Sequence, residues 1–305
     1  MTLSRPEVQR LLADHGLRPS RALGQNFVVD PNTVRRIVRL AGVTDGAAVV
    51  EVGAGLGSLT LALAEAGAQV VAVEVDRGLV PILRQVVAGR SVTVVEADAL
   101  QVDWDELLGS TGTAALPDAA GGVGPRDLAG EAGLPGPAGA AGQWSLVSNL
   151  PYNVATPLVV QVLEQAPQVG SLLVMVQREV GERLAARPGQ AAYGAVSVVV
   201  DYWAEASVVG RVPPTVFVPR PNVESALVRI DRRPSPAVPV AAVTYDRLRQ
   251  VVRAGFAQRR KMLRRSLAGV VPAAAFAATD IAPEARAEEL DVVQWGRLAG
   301  WTEAT

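Results

Sequence analysis

The chain has 305 residues, of which 49% are hydrophobic and 19% are charged, so it can build a sizeable core and global disorder is excluded. This length predicts one large domain and one smaller domain. Cysteine is absent and His15 is the only histidine. The composition therefore excludes disulfides, thiolate metal sites and a cysteine nucleophile, and predicts no metal site. The net charge of −1 does not by itself indicate a nucleic-acid partner.

The hydropathy pattern contains no stretch suited to crossing a membrane. The longest apolar run, around residues 191–200, is interrupted by Tyr193 and Ser197 and is well short of the ~20 residues that span a bilayer. Arg5 and Glu7 stand where a signal peptide would have its apolar core. We therefore expect a cytoplasmic protein with no membrane attachment.

Strand-like and helix-like segments alternate through the first hundred residues. Short Val-rich runs follow amphipathic segments, as in a parallel sheet that helices cover on both faces. The predicted helices are residues 31–41, 58–66 and 79–88, and the predicted strands are residues 47–52, 69–75 and 92–96. This alternation predicts the α/β class, with a Rossmann-like sheet.

Further strand candidates follow in the second half of the chain. They are residues 144–149, 171–177, 195–203 and 226–230. The last of them is expected to close the sheet. Residues 109–142 are dense in Gly, Ala and Pro and have almost no aliphatic periodicity, which predicts a flexible insertion.

The end of the chain reads as a separate helical unit. Three prolines in a polar setting make residues 233–240 a linker. Helices are predicted over residues 245–267 and within residues 284–301. The expected organisation is a large domain over residues 1–232, the linker, and a small all-α domain over residues 241–305.

A glycine motif, Glu-Val-Gly-Ala-Gly-Leu-Gly at residues 51–57, stands between a predicted strand and a predicted helix. Its glycines allow a tight turn and a close approach of the backbone to a ligand. Glu74 ends the next strand, where a carboxylate can accept hydrogen bonds from both ribose hydroxyls. Asp98 follows the third strand and is placed to receive an adenine amino group, with Ala99 beside it. The combination predicts a nucleoside cofactor, either NAD or S-adenosylmethionine (SAM).

A strand-end motif, Ser-Asn-Leu-Pro-Tyr-Asn at residues 148–153, is expected at the same edge of the sheet. Asn149 offers an amide oxygen as a hydrogen-bond acceptor. Pro151 stiffens a turn whose backbone carbonyls have no partner in the sheet. Tyr152 offers an aromatic face to a nucleobase. Together these groups suit the exocyclic amine of a base that has been taken out of its stack.

Six motifs occur in a fixed order along nearly the whole chain. They are Gly24-Gln-Asn-Phe-Val28, the glycine motif with Glu74 and Asp98, the strand-end motif, a proline motif Val-Phe-Val-Pro-Arg-Pro-Asn-Val-Glu-Ser at residues 216–225, Phe256-Ala-Gln-Arg-Arg-Lys-Met-Leu263, and Arg286-Ala-Glu-Glu-Leu290. In this order they resemble the adenine dimethyltransferases of small-subunit ribosomal RNA, the KsgA type. The chain departs from that family in the insertion at residues 109–142 and in Val28, where Leu is more usual.

The resemblance implies a SAM-dependent methyltransferase sheet with SAM as the cofactor. It also implies dimethylation of the N(6) amine of two adjacent adenines near the 3′ end of small-subunit (16S) RNA, late in ribosome assembly. The implied cofactor-binding residues are Gln25, Asn26, Val28, Gly53, Gly55, Gly57, Glu74, Asp98, Ala99 and Asn149. The implied catalytic residues are Asn149, Leu150, Pro151, Tyr152 and Phe217.

Within this catalytic set, Asn149 and the Leu150 carbonyl accept hydrogen bonds from the target amine, while Tyr152 and Phe217 stack on the base. The sulfonium of SAM is already activated, so positioning can supply most of the rate. No histidine or cysteine base is needed for this chemistry. NAD is rejected because no residue resembles an acid–base partner for hydride transfer.

Positive charge is concentrated in the basic segment (residues 245–266), which holds eight basic residues and one acidic residue in a chain of net charge −1. Such a segment on an otherwise acidic protein predicts contact with RNA phosphates. The alternative is a solvated amphipathic helix face. The predicted RNA-binding residues are Arg253, Arg259, Arg260, Lys261, Arg264 and Arg265.

Three other functions remain open at this point. A large-subunit RNA adenine methyltransferase of the macrolide-resistance type shares the fold and the logic of the strand-end motif. A DNA adenine methyltransferase is disfavoured because its motif has Pro where Leu150 stands. A ribosome-assembly factor without catalytic activity would keep the fold and need not bind SAM. The expected partners are the small ribosomal subunit and its RNA, and the absence of a coiled-coil repeat predicts a monomer.

Overall fold

A computed structural model of the protein describes residues 2–20, 23–109 and 144–302. The strands are β1 (Phe27–Val28), β2 (Ala48–Val52), β3 (Gln69–Glu74), β4 (Val92–Glu96), β5 (Trp144–Asn149), β6 (Val169–Gln177), β7 (Ala204–Val212), β8 (Phe217–Val218) and β9 (Ser225–Arg232). The helices are α1 (Arg5–Asp14), α2 (Pro31–Ala41), α3 (Ser58–Glu65), α4 (Val80–Val86), α5 (Trp104–Leu108), α6 (Ala155–Gln165), α7 (Arg178–Leu184), α8 (Ala195–Trp203), α9 (Tyr245–Ala257), α10 (Leu263–Ser266), α11 (Ala273–Ala278) and α12 (Val292–Gly300).

Within the described ranges, seven strands form the central sheet in the order β4-β3-β2-β5-β6-β9-β7. The first five are parallel, and β9 is antiparallel to both of its neighbours. The strand order reverses between β2 and β5, which opens a crevice at the carboxyl ends of these strands. This architecture confirms the predicted α/β class.

The Val-rich runs form central strands because both faces of the sheet are covered. Val50 and Leu146 pack into the apolar layer on one face, whereas their neighbours Val49 and Val147 pack with Ile37 of α2 on the other. Successive side chains of a strand point to opposite faces, so a strand buried on both sides must be continuously apolar.

The prediction of a strand over Ala195–Trp203 is wrong, because this segment is helix α8. The helix is apolar on two sides: Val200 packs toward the sheet, while Val198 and Tyr202 pack into the C-terminal helices. Because both sides are buried, apolar residues do not recur with the helical period, and the resulting Val-rich sequence is typical of a strand. The next residue, Ala204, begins the edge strand β7.

The predicted strand at residues 226–230 is present within β9, but it does not close the sheet. It lies between β6 and β7, with Val228 paired to Val174 on one side and to Val208 on the other. The two edges of the sheet are therefore β4 and β7.

The predicted helix over residues 245–267 is interrupted. Helix α9 ends at Ala257, and a basic loop (residues 258–262) leads to the short helix α10. The chain leaves the helix because the Leu263 and Arg264 amides donate to the carbonyls of Ala285 and Pro283, at 2.8 and 3.1 Å. Part of the predicted basic helix is consequently a loop.

The C-terminal helices share one apolar core with residues that precede the linker. Trp295 of α12 is fully buried, and a Cβ on Gly255 of α9 would lie only 2.5 Å from its ring. Tyr193 and Tyr202, both N-terminal to the linker, pack into the same cluster. The helical tail is therefore packed against the larger part of the protein through α8.

The predicted insertion at residues 109–142 lies outside the described residues, apart from Gly109. Among the helices of the described ranges, none is both long enough and apolar enough to span a membrane.

Arg232, at the end of β9, holds the C-terminal end of α6. Its guanidinium donates to the carbonyls of Val169, Leu163, Val162 and Ala166 at 2.8 to 3.1 Å. The Leu163 carbonyl has no helical donor because residue 167 is Pro, whereas the carbonyls of Val162 and Ala166 also accept from the amides of Ala166 and Val169. We expect Arg232→Met to lower the free energy of unfolding by about 2–3 kcal/mol in urea titrations.

Arg229 supplies a matched control on the same strand. It pairs with Asp231 at 2.8 Å, and both side chains are about half exposed. Exposed pairs contribute little to stability, so Arg229→Met should change the free energy of unfolding by less than about 0.5 kcal/mol. Equal effects of the two substitutions would show that the four carbonyl contacts of Arg232 do not stabilise the fold.

Candidate active site

A pocket lies in the crevice at the carboxyl ends of β2, β3 and β5. It is lined by the loop before β1 and by the loops that follow these strands and β4. Nearly all predicted site residues meet here, namely Gln25, Asn26, Val28, Gly53, Gly55, Glu74, Asp98, Ala99, Asn149, Leu150, Pro151 and Tyr152. Of the predicted cofactor-binding and catalytic residues, Gly57 and Phe217 do not line the pocket.

The glycine motif turns sharply beneath the pocket. Gly53 and Gly55 have φ angles of 72° and 59°, in the left-handed region that favours glycine. A Cβ at Gly53 would lie 3.2 Å from the Pro151 ring, and one at Gly55 would lie 3.0 Å from Phe27. Gly57 caps α3 and packs on Leu83 instead of facing the pocket. Its role is to fit the turn against α4.

Glu74 ties the glycine motif to the end of β3. Its Oε2 accepts from the Gly55 amide at 2.7 Å, and its Oε1 accepts from the amides of Val75 and Asp76 at 3.0 and 2.9 Å. Burial raises the pKa of Glu74, and these three N–H groups oppose that shift. The carboxylate is held rigidly, and Oε2, which accepts only one of these bonds, retains acceptor capacity toward a ligand.

Asp98 is fixed at the rim of the pocket beyond β4. Its Oδ1 accepts from the Leu100 amide at 3.0 Å, and its Oδ2 accepts from Gln101 Nε2 at 2.7 Å. The side chain is half-buried, and the neighbouring Ala99 is buried. This arrangement presents a carboxylate and a backbone edge at the end of the pocket formed by β4.

Asn149 has a defined orientation. Its Nδ2 donates to the backbone carbonyl of Asn26 at 2.9 Å. Because a carbonyl can only accept, the amide nitrogen must face it and Oδ1 is left as an acceptor. The carbonyl of the next residue, Leu150, accepts no hydrogen bond from any described residue. Two consecutive residues at the end of β5 therefore each offer a hydrogen-bond acceptor.

Tyr152 is anchored through its hydroxyl, which lies 3.1 Å from Ser225 Oγ at the start of β9. The side chain is half-buried, and this burial raises the pKa of Tyr152, which keeps the phenol neutral. Ser225 is fully buried. Ser225, the last residue of the proline motif, thus fixes the position of Tyr152 in the strand-end motif.

The placement of Phe217 contradicts its predicted stacking role. Its side chain is fully buried in the apolar layer that includes Val28, and the two residues are paired between β8 and β1. A buried ring has no face to offer to a base. Phe217 instead supports the segment that carries Asn26 and Val28. The motif sequence alone could not show which of its residues points into the core.

Gln25 holds a loop in place with both ends of its amide. Its Nε2 donates to Asp76 Oδ2 at 2.6 Å, and its Oε1 accepts from the Ser20 amide at 2.7 Å. The backbone of this segment lines the pocket. The role of Asp76 could not be predicted from the sequence, because a lone acid after a strand carries no distinctive signal.

Apart from the phenol of Tyr152, the ionisable side chains that line the pocket are all carboxylic acids. They are Glu51, Glu74 and Asp98, and the described lining residues include no Lys, Arg or His. An acidic, low-dielectric cavity favours a cationic ligand and repels a pyrophosphate. SAM, with its sulfonium and ammonium groups, fits this pocket, whereas NAD does not.

The structure separates the predicted RNA-binding residues into two groups. Arg259 pairs with Glu288 at 2.8 Å, and Arg264 pairs with Glu284 at 3.0 Å. Within the described ranges, the others are exposed and have no side-chain partner; they are Arg253, Arg260, Lys261 and Arg265. The unpaired group is free to bind phosphates.

Comparison with known proteins identifies the family. Residues 17–303 match the family model described as ribosomal RNA adenine dimethylase. The chain belongs to this family. A protein of Cutibacterium acnes named ribosomal RNA small subunit methyltransferase A is 44% identical over 99% of this chain and 94% of its own length. A protein of the same name from Thermobifida fusca is 43% identical, over 97% of this chain and 95% of its own.

Solved structures agree with the fold of this dimethylase. The crystal structure of the 23S rRNA methyltransferase ErmE has a TM-score of 0.63 and 25% identity, covering 90% of this chain and 98% of that one. A dimethyladenosine transferase from Plasmodium falciparum has a TM-score of 0.67 and 20% identity, covering 89% and 95%. These findings confirm the predicted family, the methyltransferase fold and SAM as the cofactor.

Proposed function

We propose that this dimethylase transfers methyl groups from SAM to the N(6) amine of two adjacent adenines near the 3′ end of small-subunit RNA. The observation that carries this substrate class is the pair of acceptors at the end of β5, the oriented Asn149 amide oxygen and the Leu150 carbonyl. An exocyclic amine has two protons, and two adjacent acceptors match them. The relatives named ribosomal RNA small subunit methyltransferase A support the choice of RNA.

The acceptors act on the electronic state of the amine. Its lone pair is delocalised into the purine ring, which makes the nitrogen a poor nucleophile. Hydrogen bonds from the amine to Asn149 and the Leu150 carbonyl favour a pyramidal nitrogen whose lone pair is directed at the methyl group. SAM supplies, when bound, a methyl group already activated by its sulfonium. The remaining task of the protein is positioning, and the methylated nitrogen then loses a proton to water.

The cofactor is held by groups at three neighbouring strand ends. Glu74 receives the ribose hydroxyls and Asp98 receives the adenine amino group, with Ala99 beside it. The backbone of Asn26 and Gly53 faces the methionine end. Asn149 joins the two halves of the site, because its amide binds the Asn26 carbonyl on the cofactor side and the target amine on the other.

The RNA is bound by the unpaired basic residues of the C-terminal unit. We divide the protein functionally into a methyltransferase domain over residues 1–232, a linker over residues 233–240 and a helical RNA-binding domain over residues 241–305. The partner is the small ribosomal subunit, modified late in its assembly in the cytoplasm by a monomeric enzyme.

Tyr152 is proposed to stack on the target adenine. Tyr152→Ala should lower kcat/KM about 10- to 100-fold, since stacking of a base on an aromatic ring contributes about 1–3 kcal/mol. Tyr152→Phe keeps the ring and loses only the hydrogen bond to Ser225, so it should cost less than about tenfold. Steady-state kinetics on small-subunit RNA checks both values. If the Phe variant is as impaired as the Ala variant, the hydroxyl and not the ring is the functional group.

Transfer of labelled methyl groups from SAM to purified ribosomal subunits tests the choice of RNA. The subunits come from a strain that lacks this gene, so that the target adenines are unmodified. We expect label in the small subunit alone. The similarity to the 23S rRNA methyltransferase ErmE makes large-subunit RNA the alternative substrate, and label confined to that RNA would refute the proposal.

A further inference from the structure

Glu51 is a buried carboxyl group that the methyl-transfer mechanism leaves without a role. It lies on β2 at the start of the glycine motif, lines the cofactor pocket, and is 2% exposed. Its Oε2 has no hydrogen-bond partner among the described residues. A buried ionised carboxylate without a partner is strongly disfavoured, so the protonation of this residue depends on the charges around it.

The surroundings of Glu51 disfavour its negative charge. Glu74 on the adjacent strand β3 has the same sign, and Asp98 beyond β4 is the other charged residue of the described lining. Thr60 on α3 places a hydroxyl nearby, and neither Glu51 Oε2 nor Thr60 Oγ1 has a hydrogen-bond partner of good geometry among the described residues. Burial, reinforced by Glu74, raises the pKa of Glu51 to about 8, with Thr60 opposing part of the shift. Near neutral pH the carboxyl therefore carries a proton.

The cofactor changes this balance because it brings positive charge into the same cavity. SAM has a sulfonium, an ammonium and a carboxylate, a net single positive charge. We propose that Glu51 is a charge-sensing cofactor residue, which releases its proton to solvent when SAM binds and compensates the sulfonium as a carboxylate. This proposal rests on SAM as the cofactor and is independent of which RNA is methylated.

The same residue then distinguishes cofactor from product. Methyl transfer moves the methyl group to the amine nitrogen and leaves a neutral thioether in S-adenosylhomocysteine (SAH). The charge that favoured the carboxylate is lost, so Glu51 takes a proton back from solvent. Glu51 thereby favours SAM over SAH by electrostatics, although the two molecules differ in shape by a single methyl group.

Titration calorimetry of the wild-type protein tests proton release without any variant. The binding enthalpy is measured in two buffers of different ionisation enthalpy near pH 7, for SAM and for SAH. The sulfonium makes the α-amino group of SAM more acidic than that of SAH, so the proton release of each ligand is measured by titrating the free ligand and is subtracted. We expect SAM to release about half a proton more than SAH. Equal release by the two ligands would overturn the proposal.

A second measurement assigns the effect to Glu51. Since the free carboxyl ionises as pH rises through its raised pKa, the preference for SAM should strengthen with pH. The ratio of the SAH Kd to the SAM Kd should rise about tenfold between about pH 6 and about pH 8.5. In Glu51→Gln the ratio should stay constant. A ratio that rises equally in this variant would show that another group titrates.

Glu96→Gln is the matched control, because Glu96 ends strand β4 of the same sheet and pairs with Arg77 at 3.1 Å in an exposed position. It should keep the pH dependence of the wild type. Thermal unfolding of both variants establishes that they are folded at the temperature of the titrations. The wild-type proton release stands as a test even if Glu51→Gln is unstable, and neither measurement depends on RNA methylation.

Discussion

Asn149→Ala is expected to lower kcat at least about a hundredfold while SAM affinity stays within about tenfold of the wild type. The chemical step loses an acceptor that acts on the reacting nitrogen, and a lost positioned group of this kind typically costs a hundredfold or more. Cofactor binding loses only the indirect support that Asn149 gives to the Asn26 carbonyl, about one hydrogen bond. Single-turnover kinetics and calorimetry measure the two quantities separately.

Asn149→Asp separates the acceptor of the side chain from its donor. The substitution conserves shape and keeps an oxygen toward the amine, but it removes the N–H that binds the Asn26 carbonyl. We expect its kcat to lie between the wild-type and Asn149→Ala values. If Asn149→Ala retains more than about a third of wild-type kcat, the proposed action on the amine is wrong. If SAM binding is lost instead, Asn149 is primarily a cofactor ligand.

Substituting Arg260, Lys261 and Arg265 together by Ala is expected to weaken binding of small-subunit RNA about a hundredfold. These side chains are exposed and unpaired in the described structure, so the fold does not depend on them. Each lost contact to a phosphate contributes on the order of 1 kcal/mol. The slope of log Kd against log salt should fall by about 2, because fewer counterions are released. Filter binding at several salt concentrations measures both effects.

Only basic residues without an ion pair are substituted in this test. Arg259 and Arg264 bind Glu288 and Glu284, so changing them would disturb the packing of the basic loop and confound the result. Arg39, Arg84 and Arg90 make a matched control, since they are exposed and have no ion pair within the described ranges. Their triple Ala variant changes the net charge equally. A similar loss of RNA affinity in the control would show that net charge alone governs binding.

Much of the fold could be predicted from the sequence, because the segments with high strand propensity are also the ones that the sheet buries. The Val-rich strands are buried on both faces and read as continuous apolar runs. Helix α8 could not be predicted, because it is buried on two sides. One side packs against the sheet, and Val198 and Tyr202 pack into the C-terminal apolar cluster that contains Trp295, so no polar face marks the helix in the sequence. The end of α9 was also hidden, because it is set by contacts with residues 283–286, which are close in space and distant in sequence.

The candidate site was predictable where its residues follow strands, since the carboxyl ends of parallel strands must meet at one edge of the sheet. This reasoning located Glu74, Asp98 and Asn149. It could not reveal which way the Asn149 amide faces, nor that Phe217 is buried. Glu51 was overlooked as a functional residue because a single acid at a strand end says nothing about the charges that surround it.

Mapping the modified bases by mass spectrometry is the most direct test of the central claim. Small subunits from a strain lacking the gene are treated with the protein and SAM, and the RNA is digested and analysed. Two adjacent N(6)-dimethyladenines near the 3′ end of the small-subunit RNA are the result we predict. Unmodified small-subunit RNA from a reaction in which SAM binding is verified would contradict the proposed activity.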